Sequence, residues 1–250
     1  MARERRRLLI PPGRLARRVA LLPPERHYLT RVLRLVPGEG CDVVDGAGRR
    51  WGARLTAAGE LALEQPLEAP AETRPAPAPT LELAVAVPRQ EVELVWRMAT
   101  ELGIDRLQPL LAERCQRRER WPVERWRAIV REACEQSERL WLPELGEPQL
   151  AAAWLAAPEG NAPGAVRNLL ATSRGDRRPL LPDGLVGLAG AGFGVRLAIG
   201  PEGGWSPAEE ALALERGWMA VSAGPTILRT TTAAVAAAAW LTGWRESLSC

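Results

Sequence analysis

The chain contains no lysine: all 33 of its basic residues are arginine. Histidine occurs once, at His27, and the four cysteines, Cys41, Cys115, Cys134 and Cys250, are scattered with no Cys-x-x-Cys pair. A zinc site needs clustered thiolates and imidazoles, and a disulfide framework needs dense, spaced cysteines, so neither is expected. The cysteines read as small apolar residues in reducing surroundings. The longest uncharged apolar stretch, AAVAAAAWL at 233–241, is far short of the roughly 20 residues that cross a bilayer. The N-terminal MARERRRLLIPPG offers only Leu8, Leu9 and Ile10 before Pro11 and Pro12, too little for a signal-peptide core. The expectation is a cytoplasmic protein with no metal and no membrane partner.

An arginine-only basic complement suits bidentate phosphate contacts. It equally suits a GC-rich genome or a hot-living organism, and composition does not separate these. Its distribution is more informative. Residues 1–36 hold ten arginines against Glu4 and Glu25, a net of +8, in a chain whose total is only +3. Such a concentration is an electrostatic footprint for a polyanion. Leu8, Leu9, Ile10, Val32, Leu33, Leu35 and Val36 thread through it, which predicts ordered structure holding the charges in place.

A composition break divides the chain of 250 residues. EAPAETRPAPAPT at 68–80 is rich in proline and alanine and predicts an extended linker over 71–80. Upstream, CDVVDGAGRRWGARL places strand-forming residues on either side of Asp45-Gly46-Ala47-Gly48, a hairpin signal. Residues 1–70 therefore read as a small, mostly β, barrel-like domain. Downstream, residues 81–250 alternate strand and helix patterns. LELAVAV at 81–87 reads as a strand, Val92, Val95, Met98, Ala99 and Leu102 recur at helical spacing until Gly103, and 122–138 form a second amphipathic helix. Strand patterns at 165–172, 194–200 and 218–224 follow. Alternation of this kind predicts an α/β fold with a parallel sheet covered on both faces.

Ligands of open α/β sheets collect where loops leave the carboxyl ends of strands. LAIGPEGGWSPAEE at 197–210 is such an end: a strand, a Gly-Pro-Glu-Gly-Gly turn, then Ser206-Pro207-Ala208-Glu209, a capping box with proline at the first helical position. Glycines there let a ligand approach the main chain without meeting a Cβ. No Gly-Lys-Ser/Thr follows, so the turn is not a Walker phosphate cradle. GAGFG at 190–194 precedes a strand instead of opening a helix, which counts against a dinucleotide fingerprint and a dehydrogenase. A second turn, Gly224-Pro225, leads through Ile227 and Leu228 to Arg229 and to Thr230 or Thr231 as the cap of an alanine-rich helix. Arg229 beside a helix N-terminus places two positive features together and predicts an anionic partner. The basic N-terminal region taken alone would also allow a non-catalytic ribosomal RNA-binding protein.

IGPEGGWSPAEE followed by GPTILRTTTAA resembles the two C-terminal motifs of the RsmE family, SPOUT-class methyltransferases that modify N3 of a uridine in 16S ribosomal RNA. HYLTRVLRLVPGEGCDVVDGAG resembles that family's PUA-like RNA-binding domain. VELVWRMATELGIDRLQPLLAERC and ACEQSERLWLPEL resemble the first half of its catalytic domain. Thr226 and Thr231 depart from the family pattern, which has arginine and glutamate there. The resemblance implies a parallel sheet with a C-terminal trefoil knot, a homodimer, and S-adenosyl-L-methionine bound by Thr172, Ile199, Gly200, Pro201, Glu202, Gly203, Ala223, Gly224, Ile227, Leu228 and Thr230. Arg229 is the catalytic candidate, stabilising the uracil anion, with a structural role or binding of the cofactor carboxylate as the alternative. The implied partner is 16S rRNA, within the small ribosomal subunit. Arg5, Arg6, Arg7, Arg17, Arg18, Arg26, Arg31, Arg34 and Arg114 are expected to hold its phosphates, with Arg117 and Arg118 secondary. His27 is expected to pack or touch RNA, Trp51 and Trp205 to be exposed for stacking, and Trp96 and Trp126 to be core.

Overall fold

The computed structural model describes residues 5–115, 120–157, 166–172, 178–188 and 194–248. The chain divides into two compact units, residues 1–76 with 131–142, and residues 77–130 with 143–250.

The first unit holds β1 (Arg7–Leu9), β2 (Arg18–Ala20), α1 (Pro23–His27), β3 (Gly40–Val44), β4 (Arg49–Leu55), β5 (Glu60–Leu63) and β6 (Glu72–Thr73). Its strands form a half-barrel in the order β1-β3-β4-β5-β2, with β6 on β4. Among the described residues no ladder joins the two ends of that path. β3 and β4 form the expected hairpin, Val44 facing Arg50 across the ladder, with Gly46 (φ 71°) and Gly48 (φ 93°) supplying the left-handed turn conformations. Alternate strand residues face opposite ways. Leu8, Cys41 and Val43 enter one core with Val19, Leu29 and Leu61. Leu9 and Val44 point to the other face, where Cys134 and Leu140 cover them. Residues 131–142 therefore pack with this unit, although by sequence they fall inside 81–250. Burial pushes the Cys41 thiol up to about 12 and that of Cys134 up to about 11, so both stay protonated.

The second unit contains β7 (Leu81–Ala86), α2 (Val92–Leu102), β8 (Arg106–Leu111), α3 (Val123–Gln136), β9 (Glu144–Leu145), β10 (Gln149–Leu150), α4 (Ala151–Ala156), β11 (Val166–Ala171), α5 (Leu181–Leu185), β12 (Gly194–Ile199), α6 (Pro207–Glu215), β13 (Met219–Val221) and α7 (Thr230–Ser247). The chain places α3 across the boundary, only its residues up to Val130 counting here. The sheet is parallel throughout, in the order β10-β8-β7-β12-β11-β13, with β9 also on β8. Along β7, Leu81, Leu83 and Val85 face α2, α5 and α7, joined by Trp96 and Trp126, both fully buried. Ala84, Ala86 and Ala198 face α4 and α6. On that thinner face Arg196 is buried with its guanidinium 4.2 Å from the Trp154 ring and 5.4 Å from the Trp218 ring, and its Nε lies 3.3 Å from Glu82. No described helix is long and apolar enough to cross a membrane.

Glu25 is the charged anchor of the half-barrel. Its buried carboxylate accepts from Arg14 at 2.6 and 2.8 Å and from the Leu22 N–H at 2.8 Å, and Arg131 lies 3.5 Å away. Burial alone would raise this carboxyl. The hydrogen bonds from Arg14 and Leu22 and the charges of Arg14 and Arg131 outweigh it and hold the group below the usual carboxylate range. A depressed folded-state value means stability that is present above the ordinary carboxylate value and lost as pH falls through the folded one. Glu25→Gln should cost about 2 kcal/mol near pH 7. In urea melts the gap to wild type should persist at neutral pH and close as the pH is lowered through and below the ordinary carboxylate range.

Candidate functional site

β12 ends at Ile199 and the chain turns through Gly200–Gly204, closed by the Gly204 N–H donating to Pro201 O at 2.8 Å. Ser206 then starts α6 as the sequence predicts: the Glu209 N–H donates to Ser206 Oγ at 3.1 Å and the Ser206 N–H to Glu209 Oε2 at 2.9 Å. The other Glu209 oxygen accepts the Glu113 N–H at 2.9 Å, so one buried carboxylate joins the loop after β8 to the start of α6. The second turn leaves β13 at Ser222, whose hydroxyl donates to Gly224 O at 2.6 Å. Thr230 Oγ1 donates to Gly200 O at 2.9 Å and so ties the second turn to the first.

Between the turns, at the carboxyl ends of β11, β12 and β13, lies a cleft enclosing about 590 Å³ together with the solvent at its mouth. Of the expected ligand-binding residues, Thr172, Ile199, Gly200, Pro201, Ala223, Gly224, Leu228 and Thr230 line it. Glu202, Gly203 and Ile227 do not. Glu202 and Gly203 face the outer side of the turn, where the Arg89 N–H donates to Glu202 Oε1 at 3.1 Å and Arg114 Nη1 donates to Gly203 O at 3.0 Å and to Trp205 O at 2.9 Å. Ile227 is 77% exposed. Trp205, expected at the surface, is buried: its Nε1–H donates to Ala171 O at 3.0 Å. Trp51 is also buried, its Nε1–H donating to Pro66 O at 3.1 Å. An indole that finds an acceptor can leave water at little cost, and nothing in the local pattern announces that acceptor.

Sequence reasoning missed Ser222, Thr226 and Glu210 on the cleft wall. Glu210 had a readable signal. Helical Cα–Cβ bonds tilt toward the N-terminus, so a side chain at the fourth position of α6 leans back over its first turn and the loop before it. The cap of α7 also differs from expectation: Arg229 is the N-cap, with no side-chain cap bond, and Thr230 opens the helix. Arg229 is exposed, between two residues that line the cleft.

In the first unit, Arg5 forms a two-pronged pair with Glu64, both contacts 2.9 Å. Arg7 donates to Glu138, and Arg18 lies 3.8 Å from Glu60. Arg6, Arg17, Arg26, Arg31 and Arg34 are exposed and, among the described residues, face no carboxylate. Arg6 and Arg54 border a groove whose apolar wall is Val32, Leu33 and Leu35. His27 is exposed at the end of α1. Arg117, Arg118 and most of the 190–194 glycine stretch lie outside the described residues.

Both units match one class of protein: residues 74–242 fit the family model of an RNA methyltransferase domain, and residues 23–64 that of an RNA methyltransferase PUA domain. A ribosomal RNA small subunit methyltransferase E from Synechocystis sp. is 38% identical over 96% of this chain and 78% of its own. One from Mycobacterium bovis is 34% identical over 85% and 81%. The crystal structure of such an enzyme from Neisseria gonorrhoeae, bound to S-adenosyl methionine, superposes with a TM-score of 0.77 at 28% identity, covering 94% of this chain and 96% of that one. The chain belongs to the ribosomal RNA small subunit methyltransferase E family, and its fold is the SPOUT-type parallel sheet with an N-terminal PUA-like unit.

A Cβ at position 200 would stand 3.0 Å from Trp205 Nε1. Gly200→Val should displace the indole from Ala171 O and destabilise the fold by about 1–3 kcal/mol, read as a lower urea midpoint with an unchanged slope.

Proposed function

We propose that this chain methylates uracil N3 in 16S ribosomal RNA with S-adenosyl-L-methionine as donor. The observation that carries the reading is the cleft between the two glycine turns, locked by the Thr230–Gly200 hydrogen bond, in a member of a family whose Neisseria relative binds that molecule. The residues present fit the group. Gly200, Ala223 and Gly224 bring main chain to the cleft wall, and Ile199, Leu228 and Ala233 supply an apolar surface for a nucleoside.

When bound, the donor supplies an electrophilic methyl group on a sulfonium. The protein's task is then alignment more than proton transfer. The Gly200–Gly204 turn and the 222–228 turn would hold the donor between them, and Glu202 and Arg114 brace the first turn from outside. Arg229 hydrogen-bonds a uracil carbonyl and stabilises the anion left when N3 loses its proton. Arg6, Arg17, Arg26, Arg31 and Arg34 grip phosphates, positioning RNA without reading its sequence. The trefoil threading of 194–248 belongs to the same reading. So does a homodimer, for which the exposed Ile227 and Trp240 (53%) of the second unit speak, and so does action on the small subunit in the cytoplasm.

Calorimetry with S-adenosylmethionine and methyl transfer to assembled small subunits or isolated 16S RNA test this function; absence of both overturns it. Arg229→Ala should lower kcat about 100- to 1,000-fold with donor affinity unchanged. Arg31→Ala should weaken RNA binding alike for all sequences and reduce the slope of log K against log salt by about 1, measured by titration at several salt concentrations.

A further inference from the structure

We propose that Glu210 gives the cleft its preference for the positively charged donor over the uncharged product; this rests on the reading that the cleft holds S-adenosylmethionine. Among the described residues lining the cleft, Glu210 is the one charged side chain. It is fixed from β11: Thr172 Oγ1, itself buried, donates to Glu210 Oε1 at 3.0 Å. Ile199, Leu228 and Ala233 are apolar, Ser222, Thr226 and Thr230 are neutral, and among the described residues no arginine joins them on the wall. The described wall of the cleft therefore carries one negative charge beside apolar surface, where a charge acts more strongly than in bulk water.

The donor matches that charge and the product does not. S-adenosylmethionine bears a sulfonium and an ammonium against one carboxylate, a net positive charge. In the transfer the methyl carbon bonds to N3, the carbon–sulfur electron pair stays on sulfur, and the N3 proton leaves to solvent. The remaining thioether, S-adenosylhomocysteine, is neutral overall. An acidic group fixed in the cleft favours the first over the second, which speeds exchange of product for fresh donor. Glu210 acts here as a specificity-determining residue, and Thr172 as the residue that positions it.

Calorimetry on the full chain would compare three ligands: S-adenosylmethionine, S-adenosylhomocysteine, and sinefungin, which carries an amine where the donor has its sulfonium. Glu210→Gln should weaken the first and third about tenfold and the second less than about twofold. Glu210→Asp should keep the preference, and Thr172→Val should lower it in part. Ligand-free melting of each variant checks the fold; should Glu210→Gln fail to fold, Glu210→Asp and Thr172→Val decide. Equal loss for all three ligands, or no loss for any, overturns the proposal. A wild-type chain that takes up none of them overturns the methyl-donor reading instead.

Discussion

The cleft depends on one position that has no side chain. At Gly200 the space a Cβ would fill belongs to the Trp205 indole, whose N–H reaches back to Ala171 at the end of β11. The carbonyl of the same glycine receives the Thr230 hydroxyl. Three stretches distant in sequence, the ends of β11 and β12 and the start of α7, are thus held at a single residue. Hydrogen bonds of this kind contribute about 1 kcal/mol each. Their larger effect is geometric, because each buried partner left unmade would cost more than the bond contributes.

The sheet beneath makes those strand ends firm. Its two faces are unequal: branched residues of β7 and β12 meet α2 and α7 through a thick apolar layer, while alanines on the other side let α4 and α6 come close. Arg196 would be out of place on such a face without its neighbours. Trp154 and Trp218 take its cation on their ring faces and Glu82 balances its charge. Trp51 and Trp205, the two tryptophans expected to stand exposed for stacking, are instead buried.

Local chemistry made much of this legible. The hairpin at Asp45–Gly48, the end of α2 at Gly103 and the Ser206–Glu209 capping box depend on residues a few positions apart, and each could be read from spacing. So could eight of the residues on the cleft wall, once the two glycine motifs were set beside a family with the same pair. What could not be read depends on partners far along the chain. The burial of Trp205 needs a carbonyl at 171; the loss of Arg5 to Glu64 and of Arg7 to Glu138 needs carboxylates 59 and 131 residues away. The covering of β1 and β3 by residues 131–142 has the same origin, since that segment's helical pattern says nothing of which apolar surface it will meet.

The Thr230–Gly200 link also bears on synthesis. Of the residues that wall the cleft, Ala171 and Thr172 leave the ribosome first, while Thr230 and Ala233 come some sixty residues later. A nascent chain can build the strands early, but the cleft stays unfinished until α7 has emerged from the exit tunnel and docked.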